Sequence, residues 1–140
     1  MTGKTIEELN PGDSAQFTKT VAESDIYLYA GISGDLNPAH INQEYASNTF
    51  FKARIAHGML SAGFISAVIG MKLPGPGTIY REQHLKFMAP VYIGDTISAT
   101  VEVLEIDLER KIVTLATRCF NQDKTLVLDG GAVVSPPRKK

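Results

Sequence analysis

An α+β domain, one long helix laid against an antiparallel sheet, is the fold class this sequence predicts, and three observations predict it. Residues His57–Leu73 carry Met59, Leu60, Ala62, Phe64, Ile65, Ala67, Val68, Ile69 and Met71, apolar on nearly every helical face, the pattern of a buried helix. Residues 96–103 alternate strictly, with Ile97, Ala99, Val101 and Val103 on one face and Thr96, Ser98, Thr100 and Glu102 on the other, which is the period of a half-buried strand. The strand-like runs that follow are joined by short polar turns, as in a meander. One buried helix and four or five antiparallel strands pack simply. The sheet curls round the helix, and its other face is solvated or covered by a partner.

Taken in order, Asn10-Pro11-Gly12-Asp13 is a turn signal, and a short strand is expected over 14–19. Thr20 and Glu23 have capping-box spacing, so a helix is expected from there to Gly34, a good left-handed cap. Asp35–Phe51 has no sustained period, and Pro38 disfavours helical geometry at Asn37. Residues 43–48 have the composition for a helical turn or two. The long helix, roughly 17 residues and about 25 Å, should stop before Pro74-Gly75-Pro76-Gly77. Strands are expected over 79–88, 96–103, 112–121 and 125–134. A phase slip at Leu104 and Ile106 signals a bulge. Residues 1–140 read as one domain, with 136–140 a frayed, solvated tail after Pro136-Pro137.

Composition removes several function classes. The net charge of −1, with scattered Lys and Arg, gives no electrostatic footprint for nucleic acid. The longest apolar stretch, 59–71, is too short and interrupted to span a bilayer, and the N-terminus does not read as a signal peptide. A cytoplasmic protein is expected. Cys119 is the one cysteine and reads as a buried small hydrophobe in a strand. The three histidines, 40, 57 and 84, have no metal-ligand spacing, and there is no phosphate loop or dinucleotide fingerprint.

Chemistry concentrates in Ser33-Gly34-Asp35-Leu36-Asn37-Pro38-Ala39-His40. Five positions on a helix would set Asp35 and His40 about 140° apart. Pro38 argues against a helix there, leaving both free to face one site. Together a carboxylate and an imidazole hold a water, take its proton and return one elsewhere. The plainer reading is that Asp35 caps a turn and His40 lies on a surface loop. Gly58 opens the long helix, where free N–H groups gather, and its N–H can bind a carbonyl oxygen on which charge develops; alternatively it only eases the turn. His57, disfavoured as a cation at a helix start, is expected to pack or to donate a hydrogen bond. His84 is expected outside or at an interface, opposite in phase to Leu85 and Phe87. Gln83, in phase with them, is expected to point inward and to need partners. Ser66 reads as a helix serine bonded back to a carbonyl.

Beyond this reading, the chain resembles the MaoC-like (R)-specific enoyl-CoA hydratases. The resemblance rests on Asp25–Gly34, Asp35-Leu36-Asn37-Pro38-Ala39-His40, Ala56-His57-Gly58-Met59-Leu60, Leu73–Tyr80, Gln83–Phe87 and Pro90–Asp95, and it spans about residues 5 to 135. It implies the hot-dog fold, an antiparallel sheet wrapped round one central helix. It implies that Asp35 and His40 activate one water that adds to Cβ of a trans-2-enoyl-CoA while a proton reaches Cα from the same face. The Gly58 N–H would hold the thioester oxygen, with Asn37 and Ser66 as supporting groups. The resemblance also implies a homodimer joined edge to edge with the substrate tunnel at its interface, no metal or redox cofactor, and supply of (R)-3-hydroxyacyl-CoA, including to polyhydroxyalkanoate synthesis. Ile69 and Val134 are expected to line the tunnel. The competing activities are a hot-dog thioesterase, an (R)-3-hydroxyacyl-ACP dehydratase and a non-catalytic acyl-CoA-binding subunit.

Overall fold

A computed structural model describes residues 2–140. Five strands, β1 (Ser14–Thr20), β2 (Ile79–Phe87), β3 (Thr96–Asp107), β4 (Ile112–Phe120) and β5 (Leu126–Ser135), form one antiparallel sheet in the order β1-β3-β4-β5-β2. Four helices complete it: α1 (Glu23–Ser33), α2 (Pro38–Ile41), α3 (Gln43–Ser47) and α4 (Gly58–Met71). The fold is the expected α+β sheet with one long helix against it.

Pairing registers decide which side chains face α4. Ala99 lies opposite Cys119, Val101 opposite Thr117, and Val103 opposite Leu115. Leu128, Gly130, Ala132 and Val134 continue that face on β5, and Phe87, Leu85 and Gln83 on β2. Ile97, Ala99, Val101, Val103, Val113, Leu115 and Cys119 are all buried, so the alternation read from the sequence is the core face. The ladder slips between Val103 and Glu105, where the phase of the sequence slips.

Helix α4 answers with Ser61, Phe64, Ile65, Val68 and Ile69, the i, i+3, i+4, i+7, i+8 stripe of a half-buried helix. This differs from the expected helix buried nearly all round. Within one chain Met59, Gly63, Ser66 and Met71 stay exposed, because β2 stops short of covering that flank. Ile65 is fully buried against the sheet. Ile65→Ala is expected to cost about 2–5 kcal/mol in urea unfolding; a loss under about 1 kcal/mol would contradict the packing of α4.

Three local expectations are corrected. Thr20 belongs to β1, where its hydroxyl pairs with that of Thr96 at 2.8 Å, so it caps nothing. The carboxylate of Asp25 caps α1 instead, accepting the Ala22 N–H at 2.8 Å. A hydrogen bond from Lys19, at 2.7 Å, holds that carboxyl below its usual range. Ile69 and Val134 belong to the buried core and do not line the cavity beside His40. Finally, Pro136 is buried and Pro137 packs over Gly77, so the exposed tail begins at Arg138 rather than 136.

Candidate active site

Helix α1 ends at Gly34, whose φ of 82° lies in the left-handed region that favours glycine. The chain then turns at Asp35, whose Oδ1 accepts the Asn37 N–H at 3.2 Å. Asn37, at φ −52° and ψ 126°, caps α2, its Oδ1 accepting the Ala39 N–H at 3.0 Å, and Pro38 takes the first helical position. Pro38 therefore starts a helix where the sequence argued against one; its missing N–H costs nothing at that position. Asp35 stays outside this single turn while His40 rides on it, so the helical separation of the two never applies.

His40 is 9% exposed, which removes the surface-loop reading. Its Nδ1 lies 2.7 Å from the carbonyl oxygen of Ile55. A carbonyl only accepts, so Nδ1 carries a proton, and whenever the ring is neutral Nε2 holds the lone pair. That carbonyl is itself held. The Ile55 N–H donates to the Ala39 carbonyl at 3.3 Å, and the Ala56 N–H to that of Val91 at 2.7 Å. Beside it, the Arg54 guanidinium donates to the Tyr27 hydroxyl at 2.8 Å and to Gln43 at 3.3 Å, and pairs with Glu23 at 3.3 Å. Arg54 thus ties α1 and α3 to the segment that orients His40. Neither Ile55 nor Arg54 emerged from the sequence, because a backbone acceptor has no residue signature.

His57, buried at the start of α4, places Nε2 2.9 Å from the carbonyl oxygen of Asp35. Its ring stacks on that of His40 with centroids 3.9 Å apart and planes 29° apart. One potential ligand atom each from Asp35, His40 and His57 lies within 4.8 Å of the others, a cluster the linear spacing concealed. The donor set has the right chemistry for a cation, but two stacked imidazoles send their in-plane lone pairs side by side. Convergence on one ion requires a ring to turn.

A cavity of about 520 Å³ opens beside this cluster, lined by His40, Gly58 and Ser61 and by apolar groups that include Ile55, Met59, Phe87 and Leu128. Gly58 has a reason to be glycine, since a Cβ there would stand 2.5 Å from the Phe87 ring. Ser66 lies elsewhere, in a second groove with Met59, Tyr80, Gln83 and Leu85. Eight residues separate it from Gly58, about 12 Å along the axis; Ser61, three residues on, is the serine at the cavity. Gln83 does point inward and donates to the buried Thr117 hydroxyl at 2.9 Å, while the Tyr80 hydroxyl donates to its carbonyl oxygen. Tyr80 as a whole is partly exposed, but desolvation of its hydroxyl in this groove pushes that group up to about 12. His84 is exposed.

Cys119 is buried on β4 with its thiol directed at the Ser61 carbonyl, and burial pushes that thiol up to about 12. The native protein is expected to resist alkylation at pH 8 and to react only once unfolded. Fast labelling of the folded chain would show Cys119 accessible.

The chain is similar to known proteins over nearly its whole length. The family model described as MaoC like domain matches residues 8–122. An (R)-specific enoyl-CoA hydratase of Rhodospirillum rubrum is 57% identical over 134 residues, covering 96% of this chain and 92% of that protein. An R-hydratase of Pseudomonas aeruginosa, solved unliganded, superposes with a TM-score of 0.93 at 47% identity, over 99% of this chain and 88% of that one. An (R)-hydratase of Aeromonas caviae involved in PHA biosynthesis superposes with a TM-score of 0.91 at 39% identity, over 94% and 99%.

Proposed function

The chain belongs to the MaoC-like domain family, and from that premise we propose that it is an (R)-specific enoyl-CoA hydratase, a hydro-lyase acting on trans-2-enoyl thioesters. The observation that carries the reading is the state of His40. Its Nδ1–H is engaged by Ile55, so Nε2 is the nitrogen left for chemistry; His40 lines an apolar cavity, and a ring nitrogen of it lies within 4.8 Å of an Asp35 carboxylate oxygen. A water held between Nε2 and the Asp35 carboxylate is activated for attack on Cβ. The pair also returns a proton to Cα on the same face, which yields the (R)-3-hydroxyacyl product. As negative charge moves onto the thioester oxygen, the Gly58 N–H at the start of α4 receives it. Asn37 supports the site by capping α2. The reaction needs no metal or redox cofactor, because the thioester itself acidifies Cα.

The assembly belongs to the same reading. β2 is an edge strand with exposed Ile79, Tyr80 and Phe87, and the neighbouring flank of α4 exposes Met59, Gly63 and Ser66. Edge strands of this kind are covered, and a second copy joined along β2 would cover both. In that homodimer Ser66 would act through the second groove, where the copies meet. Among the described residues no helix is long and apolar enough to cross a membrane. We place the enzyme in the cytoplasm, where acyl-CoA substrates lie. Polyhydroxyalkanoate synthesis, which consumes (R)-3-hydroxyacyl thioesters, is the outlet supported by the Aeromonas caviae relative.

The test is the ultraviolet band of crotonyl-CoA, with free thiol read in parallel and the product checked with an (R)-specific dehydrogenase. Loss of the band without thiol release, giving the (R)-alcohol, is expected. Thiol release would replace this reading with a thioesterase.

A further inference from the structure

We propose that His57 is the positioning residue that holds Asp35 and His40 in register with each other and with the Gly58 N–H. The inference rests on the acid–base reading of Asp35 and His40 given above.

His57 is a poor choice on local grounds. It occupies the N-cap of α4, yet its side chain makes no capping hydrogen bond, which Ser, Thr, Asp or Asn would supply. It is 2% exposed, yet its Nδ1 has no hydrogen-bond partner, alone among the buried side-chain nitrogens and oxygens of the described residues. A buried acceptor without a donor is destabilising, and an apolar side chain of similar size would avoid that cost. Core filling and capping therefore both fail to explain an imidazole here.

What the imidazole does is reach across 22 residues. The Asp35 carbonyl can only accept, so Nε2 carries the proton and donates at 2.9 Å. This fixes the ring as the Nε2–H tautomer and leaves Nδ1 bare. One face of the same ring lies flat on His40 at 3.9 Å, and Tyr29 braces it at 4.7 Å between centroids. The next residue in the chain is Gly58. One rigid ring thus sets three positions: the backbone of Asp35, the plane of His40, and the start of α4. Bonds within the Asp35–His40 segment hold it to itself and, through His40, to Ile55; none of them ties Asp35 to α4, and the His57 Nε2 contact does.

The experiment compares kcat and KM on crotonyl-CoA for the wild type, His57→Phe, His57→Gln, Asp35→Asn and the double variant His57→Phe/Asp35→Asn. Phenylalanine keeps the flat face and loses the donor; glutamine restores a donor near the place of Nε2. A displacement of about 1 Å at such a site costs about 10²-fold. His57→Phe is therefore expected to lower kcat by about 10- to 100-fold with KM little changed, and His57→Gln to recover much of it. In the Asp35→Asn background the same change should add little, because the group it positions is already gone. Wild-type kcat in His57→Phe, or a loss that multiplies fully with that of Asp35→Asn, would overturn the proposal. If His57→Phe does not fold, nitrogen-15 spectra of the wild-type imidazoles decide. Nε2–H with bare Nδ1 supports the proposal, and the opposite tautomer sinks it. Should Asp35→Asn itself keep the wild-type rate, the acid–base reading falls and this inference with it. An inactive Asp35→Asn beside a fully active His57→Phe removes only the role of His57.

Discussion

Asp35→Asn and His40→Gln each lower the rate of enoyl thioester hydration by about 10²–10⁴-fold, with the fold intact. Asparagine keeps the side-chain oxygen that accepts the Asn37 N–H, so the turn before α2 survives and only the negative, proton-accepting group disappears. At position 40 the geometry supplies a sharper variant than glutamine. His40→Asn places an amide N–H near the position of Nδ1, where it can donate to Ile55, and removes Nε2 altogether. The same loss from His40→Asn and His40→Gln assigns the chemistry to Nε2 rather than to the hydrogen bond that orients it. Steady-state kinetics with circular dichroism checks this. Near wild-type turnover in Asp35→Asn or in either His40 variant, with an unchanged spectrum, refutes the assignment.

Gly58→Ala lowers turnover by up to about 10²-fold while the melting temperature holds or rises. The two effects part company for a physical reason. Gly58 is the first helical residue of α4 and lies outside the left-handed region, so alanine fits its backbone and favours the helix. The new Cβ, however, would stand 2.5 Å and 2.6 Å from two carbons of the Phe87 ring. That ring is 56% exposed and swings aside, into the cavity where the thioester must sit. Phe87→Leu in the Gly58→Ala background is expected to recover part of the rate by making room. Unaltered kinetics in Gly58→Ala would show that a methyl at residue 58 does not crowd the thioester. A collapse in stability would show that the Phe87 ring cannot move.

The family resemblance implies that Asp35, His40 and Gly58 share one site, whereas the residues alone leave a turn cap and a surface histidine as open readings. Burial of His40 and its Ile55 contact close the second of these. Asp35 does cap a turn, through its contact with Asn37, and that leaves its second oxygen free for a water. The turn-capping role of Asp35 is therefore compatible with the proposed catalytic one.

The sequence by itself determined what depends on local period and local chain stiffness. The alternation of β3 with its slip after Val103, the stop of α1 at Gly34 and the span of α4 all follow from side-chain spacing along one element. The tertiary structure decided what depends on distant partners. Thr20 left its capping role because Thr96, 76 residues away, pairs with it across the sheet. His40 acquired its tautomer from a backbone oxygen 15 residues on, and a carbonyl is present at every position and so marks none. His57 lies on His40 although 17 positions separate them, because the start of α4 meets α2 in space. Ser61 rather than Ser66 reached the cavity because β2 ends beside the first turn of α4, where Phe87 and Gly58 meet. Periodicity reports which face of an element is buried; it is silent on which atoms of two elements come within 3 Å, and this site is built from such atoms.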